Sequence, residues 1–163
     1  YKELRKLIGI SKETVQRYID ILEKGYVVFR LQSFNRNLRN EIKKGRKIYF
    51  YDNGVRNAII GDFSPVSLRK DIGALWENFL VSERMKQNAY KLTFAKPYFW
   101  RTAQQQKIDY VEQRGASLFA YEFEWNPKKK ARISKTFLDN YEAEGNLINR
   151  ENFRSFVQIN AKD

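Results

Sequence analysis

Three strand-like runs stand in close order in the second half of the sequence: Tyr98–Thr102, Lys107–Glu112 and Leu118–Trp125. Glutamines 104–106 mark the first turn between them and Arg114-Gly115 the second. Gaps this short leave no room for a parallel crossover, so the runs are expected to pair as antiparallel neighbours. Ahead of them, Ser67 is placed to cap a long helix from Leu68 to about Asn88, with Ile72, Leu75, Trp76, Phe79 and Leu80 as a wide apolar stripe. Behind them, Asn126-Pro127 breaks the last strand, Ile133–Tyr141 supplies an amphipathic helix, and Phe153–Ile159 reads as a final strand. The order is helix, three antiparallel strands, helix, strand. The aromatic side chains Trp76, Phe79, Phe94, Phe99, Trp100, Phe119, Phe123, Trp125 and Phe137 fall mostly on these elements and are expected in the core.

The first 62 residues read differently. Glu3 to Ile8 look like the end of a short helix, and Gly9-Ile10-Ser11 makes a turn with Ser11 placed to cap the next helix. Val15, Tyr18, Ile19 and Leu22 recur at helical spacing, and Gly25 is a stop. Two strands, Tyr26–Leu31 and Lys47–Tyr51, follow across a polar, basic stretch. A hairpin after a helix-turn-helix is a winged helix. Asp52-Asn53-Gly54 then marks a turn, Gly54–Ile60 a short helix, and residues 61–65 a linker. The fold class is α+β, with a winged-helix module over 1–62 and a second domain over 63–163.

Charge follows the same division. The chain carries 31 Lys and Arg against 19 Asp and Glu, and the first 75 residues hold 16 of the basic and 8 of the acidic side chains. The excess is densest from Arg30 to Arg56, where Arg36, Arg39, Lys43, Lys44, Arg46 and Lys47 meet only Glu41 and Asp52. A basic wing suits a phosphate backbone. On the preceding helix Lys12, Gln16 and Arg17 are expected to face outward, where a groove-reading helix places its donors. The competing reading is a winged helix that docks a partner protein, with Asp20 and Glu23 diluting the outward face. Lys128, Lys129, Lys130, Arg132 and Lys135 form a second basic cluster, read as a solvated face with nucleic-acid contact as the alternative.

The chain has no Cys and no His. Thiol nucleophiles, Ser-His-Asp triads, disulfides and Cys/His zinc sites are therefore excluded, and any metal needs oxygen ligands of the kind Mg²⁺ accepts. Absent Cys fits a cytoplasmic protein, and no apolar run approaches the roughly 20 residues of a membrane span. The chain opens on Tyr1 inside a helical pattern and reads as a piece of a longer protein. Any catalysis here rests on carboxylates and lysines. Asp109 lies on the second strand, and Glu122 and Glu124 share a face of the third. Adjacent strands bring Asp109 beside Glu122, a pair able to hold Mg²⁺ against a phosphate. Glu83 falls in the middle of the long helix's apolar stripe, where a carboxylate needs a partner or a task, and Glu77 lies at its edge.

The run Arg69-Lys70-Asp71-Ile72-Gly73-Ala74-Leu75-Trp76-Glu77-Asn78-Phe79, with Tyr49-Phe50-Tyr51-Asp52-Asn53-Gly54 before it and Phe99-Trp100-Arg101-Thr102 after it, resembles the C-terminal region of prokaryotic AAA-type ATPases. The resemblance implies an upstream ATP-binding domain, absent from this chain together with its G-x-x-x-x-G-K-[ST] loop. It further implies a winged helix and then a domain of unknown function similar to PD-(D/E)XK restriction-endonuclease folds. Carried over residue by residue, the nuclease pattern makes Asp109 the strand acid and metal ligand. Glu122 and position 124 become the (D/E)-x-K pair, with an assisting acid at Glu77 or Glu83. The chain departs from the pattern at Glu124, which stands where the family usually has lysine, and at Lys107, where it usually has an acid. Two consequences are expected: Lys107 substitutes for the missing lysine, or Lys107 and Glu124 form an exchanged cross-strand ion pair. The principal expectation is a non-catalytic fragment that binds nucleic acid or docks a partner, with no cofactor of its own. The alternatives are a Mg²⁺-dependent nuclease using Asp109, Glu122, Lys107 and Glu83, and a module for protein interaction alone.

Overall fold

Ser11 opens helix α1 (Lys12–Lys24) by accepting a hydrogen bond from the Thr14 amide at 3.1 Å, as its sequence position predicts. The computed structural model describes residues 9–36, 41, 45–129 and 131–158; the helix expected before Gly9 lies outside them. Val15 and Ile19 of α1 are buried, whereas Tyr18 and Leu22, expected beside them, are exposed. Strands β1 (Val28–Ser33) and β2 (Arg46–Phe50) pair antiparallel. Asp52 then caps α2 (Asn53–Ile60) through the Val55 amide at 3.0 Å, and Gly61 ends it in the left-handed conformation.

The long helix α3 spans Ile72–Tyr90, starting four residues later than Leu68. A single 3-10 turn occupies Val66–Leu68. Electrostatics explain the delay. The Arg69 guanidinium forks onto both oxygens of Asp71 at 2.8 Å, and Arg56 adds a third bond at 2.8 Å. The Arg69 and Arg56 hydrogen bonds hold the Asp71 carboxyl well below its ordinary range, and the helix begins directly after it.

Strands β3 (Lys96–Arg101), β4 (Lys107–Arg114) and β5 (Ser117–Phe123) follow as the expected antiparallel set. Helix α4 (Lys135–Tyr141), strand β6 (Glu144–Ile148) and helix α5 (Phe153–Val157) complete the chain. The final strand is therefore earlier than expected, and Phe153–Val157 is helical. On a helix Phe153, Phe156 and Val157 share one face. Phe153 meets the rings of Trp76 and Phe79, and Phe156 those of Tyr110 and Tyr121. The strands form one mixed sheet in the order β2-β1-β3-β4-β5-β6, in which β1 runs parallel to β3 and β5 parallel to β6. Strands from both sides of position 62 thus share a single sheet.

A bulge in β4 sets the arrangement of the core. Trp100 pairs with Ile108 and Tyr98 with Val111, so Phe99 alone stands opposite both Asp109 and Tyr110. Ile108 and Val111, three apart, therefore enter the same apolar cluster with Trp100, Leu118, Ala120 and Phe137. Tyr110 turns to the other cluster, with Tyr49, Trp76, Leu80, Val81, Tyr121 and Phe156. The expected aromatic core holds with one correction: Phe94 is 87% exposed. It sits with Leu92 in a turn where both residues have positive φ.

Five of the eight buried residues on α3 are polar: Asn78, Ser82, Arg84, Gln87 and Asn88. Two of them, Arg84 and Asn88, bond Glu112 of β4, which is 0% exposed. Its carboxylate accepts from Arg84 Nε and Nη2 at 2.8 and 3.0 Å, Asn88 Nδ2 at 2.9 Å, Tyr110 Oη at 3.2 Å and Arg114 Nε at 2.5 Å. Burial opposes the Glu112 charge, yet Arg84, Asn88 and Arg114 together hold its pKa below the ordinary value. Arg84 also donates to the Phe156 carbonyl at 2.7 Å and Gln87 to that of Gln158 at 2.5 Å, fastening α5 to α3. Arg84→Met removes the partner of a fully buried carboxylate. It is expected to cost about 3–5 kcal/mol in urea unfolding, whereas the double variant Arg84→Met/Glu112→Met recovers most of that loss.

Candidate functional site

The carboxylate pair expected on β4 and β5 is formed. The strands register with Tyr110 opposite Tyr121, and one step further the Glu122 carboxyl hydrogen-bonds to Asp109. Asp109 Oδ2 also accepts the Phe123 amide at 3.2 Å, just beyond the last paired positions of β4 and β5. Asp109 Oδ1 accepts Lys107 Nζ at 2.8 Å, and Lys47 Nζ of β2 stands 3.9 Å away. Lys47 donates at 2.8 Å to Glu77 of α3, which also accepts from Tyr49 Oη at 2.6 Å. The result is a chain of alternating charge across three strands and a helix: Lys107, Asp109, Lys47, Glu77, with Glu122 against Asp109.

The two carboxyls divide their roles. Burial opposes the Asp109 charge, but the Lys107 bond and the fields of Lys107 and Lys47 lower its pKa. Glu122 takes the opposite course: burial, then the charge and hydrogen bond of Asp109, push it up to about 8. One proton is thus retained on the pair at neutral pH, as like charges this close require. Lys107 is held in its charged form, since its bond to Asp109 outweighs the cost of desolvation.

Of the two acids expected on the long helix, Glu77 is the one that reaches this cluster, through Lys47. Glu83, the residue expected at mid-stripe, points away and bonds Lys86 at 2.6 Å on the same helix. The buried side of α3 is centred on Leu80, Arg84 and Asn88, so a stripe drawn through apolar residues alone was rotated from the true one. The exchanged Lys107–Glu124 pair is not formed either. Strand β5 ends at Phe123, and Glu124 pairs with Lys129 at 2.8 Å, while Lys107 is bound to Asp109. Lys47 is the residue that sequence reasoning missed at this site. It was counted only as part of the basic stretch, and its alternation with Tyr49, another residue that reaches Glu77, was the available signal.

Asp109 and Glu122 do not fit a divalent cation as they stand. Both Asp109 oxygens are engaged, one by an ammonium and one by a backbone amide, and among the described residues no group of three acids gathers to hold a metal. Glu122 also borders an open cleft of about 370 Å³ shared with Gln106, Lys107, Arg132, Ser134 and Lys135.

Of the expected nucleic-acid contacts, Lys12 and Arg17 are exposed on α1, and Arg36 and Arg46 are exposed at the ends of the β1–β2 connection. Gln16 is half-buried and donates to Asp20 at 3.3 Å. Arg39, Lys43 and Lys44 lie outside the described residues, as does Lys130. Glu41, within the same connection, is buried. It accepts from Trp100 Nε1 at 2.6 Å, from the Arg36 amide at 3.1 Å and from the Tyr141 hydroxyl.

The fold and the site define a mixed α+β protein whose single sheet carries a lysine-bound carboxyl pair. Residues 72–160 match the family model described as Domain of unknown function (DUF4143), and the chain belongs to that family. Residues 1–65 match a second model, Domain of unknown function (DUF8612). Uncharacterized proteins of Mycobacterium bovis and Mycobacterium tuberculosis are each 30% identical over 137 residues, 82% of this chain. The chain spans 30% of the length of these relatives. No solved structure matches, and no helix among the described residues is long and apolar enough to cross a membrane.

Two predictions follow from the geometry. In the folded chain Glu122 binds its proton more tightly than at the ordinary carboxyl value of 4.5. The stability this contributes is complete below pH 4.5 and is lost as pH rises to about 8. Glu122→Gln, which mimics the protonated form, should change the melting temperature little at pH 5 and raise it at pH 9. In a double-mutant cycle, Lys107→Glu and Glu124→Lys should add within about 0.5 kcal/mol, as expected for residues with no shared contact.

Proposed function

We propose that this chain is the non-catalytic, nucleic-acid-binding C-terminal part of an AAA-type ATPase. In this reading α1, β1 and β2 belong to a winged helix over 1–62, and residues 63–163 form a restriction-endonuclease-like domain. ATP turnover in an upstream domain drives or switches its grip. The observation that carries the reading is the inward turn of Glu41. Between Arg30 and Arg46 it is the one acid in the sequence, and it is consumed by Trp100 and Tyr141. Arg36 and Arg46 are exposed at the two ends of the connection, and Lys12 and Arg17 are exposed on α1. Such a surface suits a phosphate backbone, and phosphate contacts supply most non-specific affinity. Lysine saturation of Asp109 supports the non-catalytic half of the proposal.

The test is duplex-DNA binding across a salt series. Affinity should fall steeply with salt, and the double variant Lys12→Ala/Arg17→Ala should weaken binding and flatten the log–log slope by about 2. Absence of binding at low salt would overturn the reading in favour of protein docking through the same module. A second reading, a Mg²⁺-dependent nuclease, draws on one observation: Asp109, Glu122 and Lys107 are brought together. It requires plasmid cleavage with Mg²⁺ or Mn²⁺ that Asp109→Ala abolishes; on the principal proposal neither ion supports cleavage.

A further inference from the structure

We propose that the cleft between the start of β4, the end of β5 and the start of α4 seats a terminal phosphate, either free phosphate or a phosphomonoester, held by Arg132 and Lys135. Both cations border the cleft and are exposed, and neither makes an ion pair among the described residues. Elsewhere the cationic side chains near an acid are taken up: Lys107 by Asp109, Lys47 by Glu77, Lys129 by Glu124. Two uncompensated charges in one concavity match a dianion, whereas a phosphodiester carries one charge.

The rest of the lining agrees with this ligand. Glu122 retains its proton at neutral pH in the bond it shares with Asp109, so it sets no repelling charge against the ligand. Ser134 occupies the N-cap position of α4 without bonding a helix amide. Its Oγ is buried with no hydrogen-bond partner among the described residues. A buried hydroxyl without a partner is costly; on this proposal the Ser134 side chain turns into the cleft and donates to the phosphate. The cleft, about 370 Å³, falls within the range of small-ligand pockets, about 300–1,000 Å³, which leaves room for a nucleoside behind the phosphate. The cleft shares no residue with α1 or the β1–β2 connection, so phosphate binding here is independent of duplex binding there.

The experiment follows the backbone amide resonances of the 163-residue chain in excess EDTA. The probes are inorganic phosphate, a 5′-phosphorylated thymidine dinucleotide, the same dinucleotide without the terminal phosphate, and KCl at matched ionic strength. Phosphate and the phosphorylated dinucleotide should shift the resonances of Lys107, Glu122 and residues 131–136 saturably. The exposed-site double variant Arg132→Gln/Lys135→Gln should weaken this at least about tenfold, while Lys12→Ala/Arg17→Ala leaves it unchanged. Tighter binding of the phosphorylated dinucleotide assigns the seat to a nucleic-acid end, and equal affinity assigns it to free phosphate. Equal binding of the dinucleotide lacking its terminal phosphate overturns the proposal. So does a phosphate response no larger than that to KCl, or undiminished affinity in the Arg132→Gln/Lys135→Gln variant.

Discussion

Glu112 is a carboxylate with no access to water in the middle of the sheet, and Arg84 and Asn88 of α3 are held inside to satisfy it. A buried carboxylate is tolerated only if its lone pairs are filled, and here five donors fill them. That requirement fixes which side of α3 faces the sheet, since Arg84 and Asn88 must both reach one carboxylate. It also fixes α5, because the remaining donors of Arg84 and of its neighbour Gln87 are spent on carbonyls at the end of that helix. The aromatic packing of Phe153 and Phe156 is then the apolar complement of a register set by hydrogen bonds.

The N-terminal end of α3 performs the corresponding task for the first half of the chain. Asn78 accepts the Phe50 amide at 2.8 Å and donates to the Phe50 carbonyl at 3.0 Å and to Asn53 at 2.9 Å. Asn53 in turn donates to the Leu75 carbonyl at 3.1 Å. Glu77, one residue earlier, holds Lys47 and Tyr49. The sequence runs around Tyr49–Gly54 and Trp76–Phe79 are thus two sides of one joint. Their chemistry is that of attachment: an amide side chain that imitates a strand partner, and a carboxylate that fixes the spacing of β2. Because this joint delivers Lys47 to Asp109, the carboxyl pair on β4 and β5 is neutralised in part by the other half of the chain.

Period and turn chemistry made most of the fold legible. Ser11 and Asp52 cap where their types predict, and three closely spaced strands could only be antiparallel. What remained hidden depended on partners distant in sequence. The bulge at Asp109–Tyr110 leaves no local mark, yet it decides which cluster Tyr110 enters. Glu83 looked central because apolar periodicity ignores Arg84 and Asn88, whose burial is dictated by a carboxylate 24 to 28 positions away. Phe153–Val157 reads equally well as strand or helix until Trp76 and Tyr121 provide a surface. At the site, pairing of Asp109 with Glu122 was legible from strand order, whereas Lys47 reaches it from a strand about 60 positions earlier through the joint at Asn78.

The same burial sharpens the meaning of the net charge. Among the described residues four acids, Glu41, Asp109, Glu112 and Glu122, are buried, against two cations, Arg69 and Arg84. Their burial withdraws more negative than positive charge from the surface of the described residues. Three of these acids have a structural reason to be inside: Glu41 ties the basic connection to Trp100, Glu112 orients α3, and Asp109 holds the Phe123 amide. Acids placed inward for stability leave cations facing outward without a counter-charge. A fold that tethers its carboxylates in this way gains an anion-attracting surface as a by-product of its own packing, before any single cation is selected to touch a ligand.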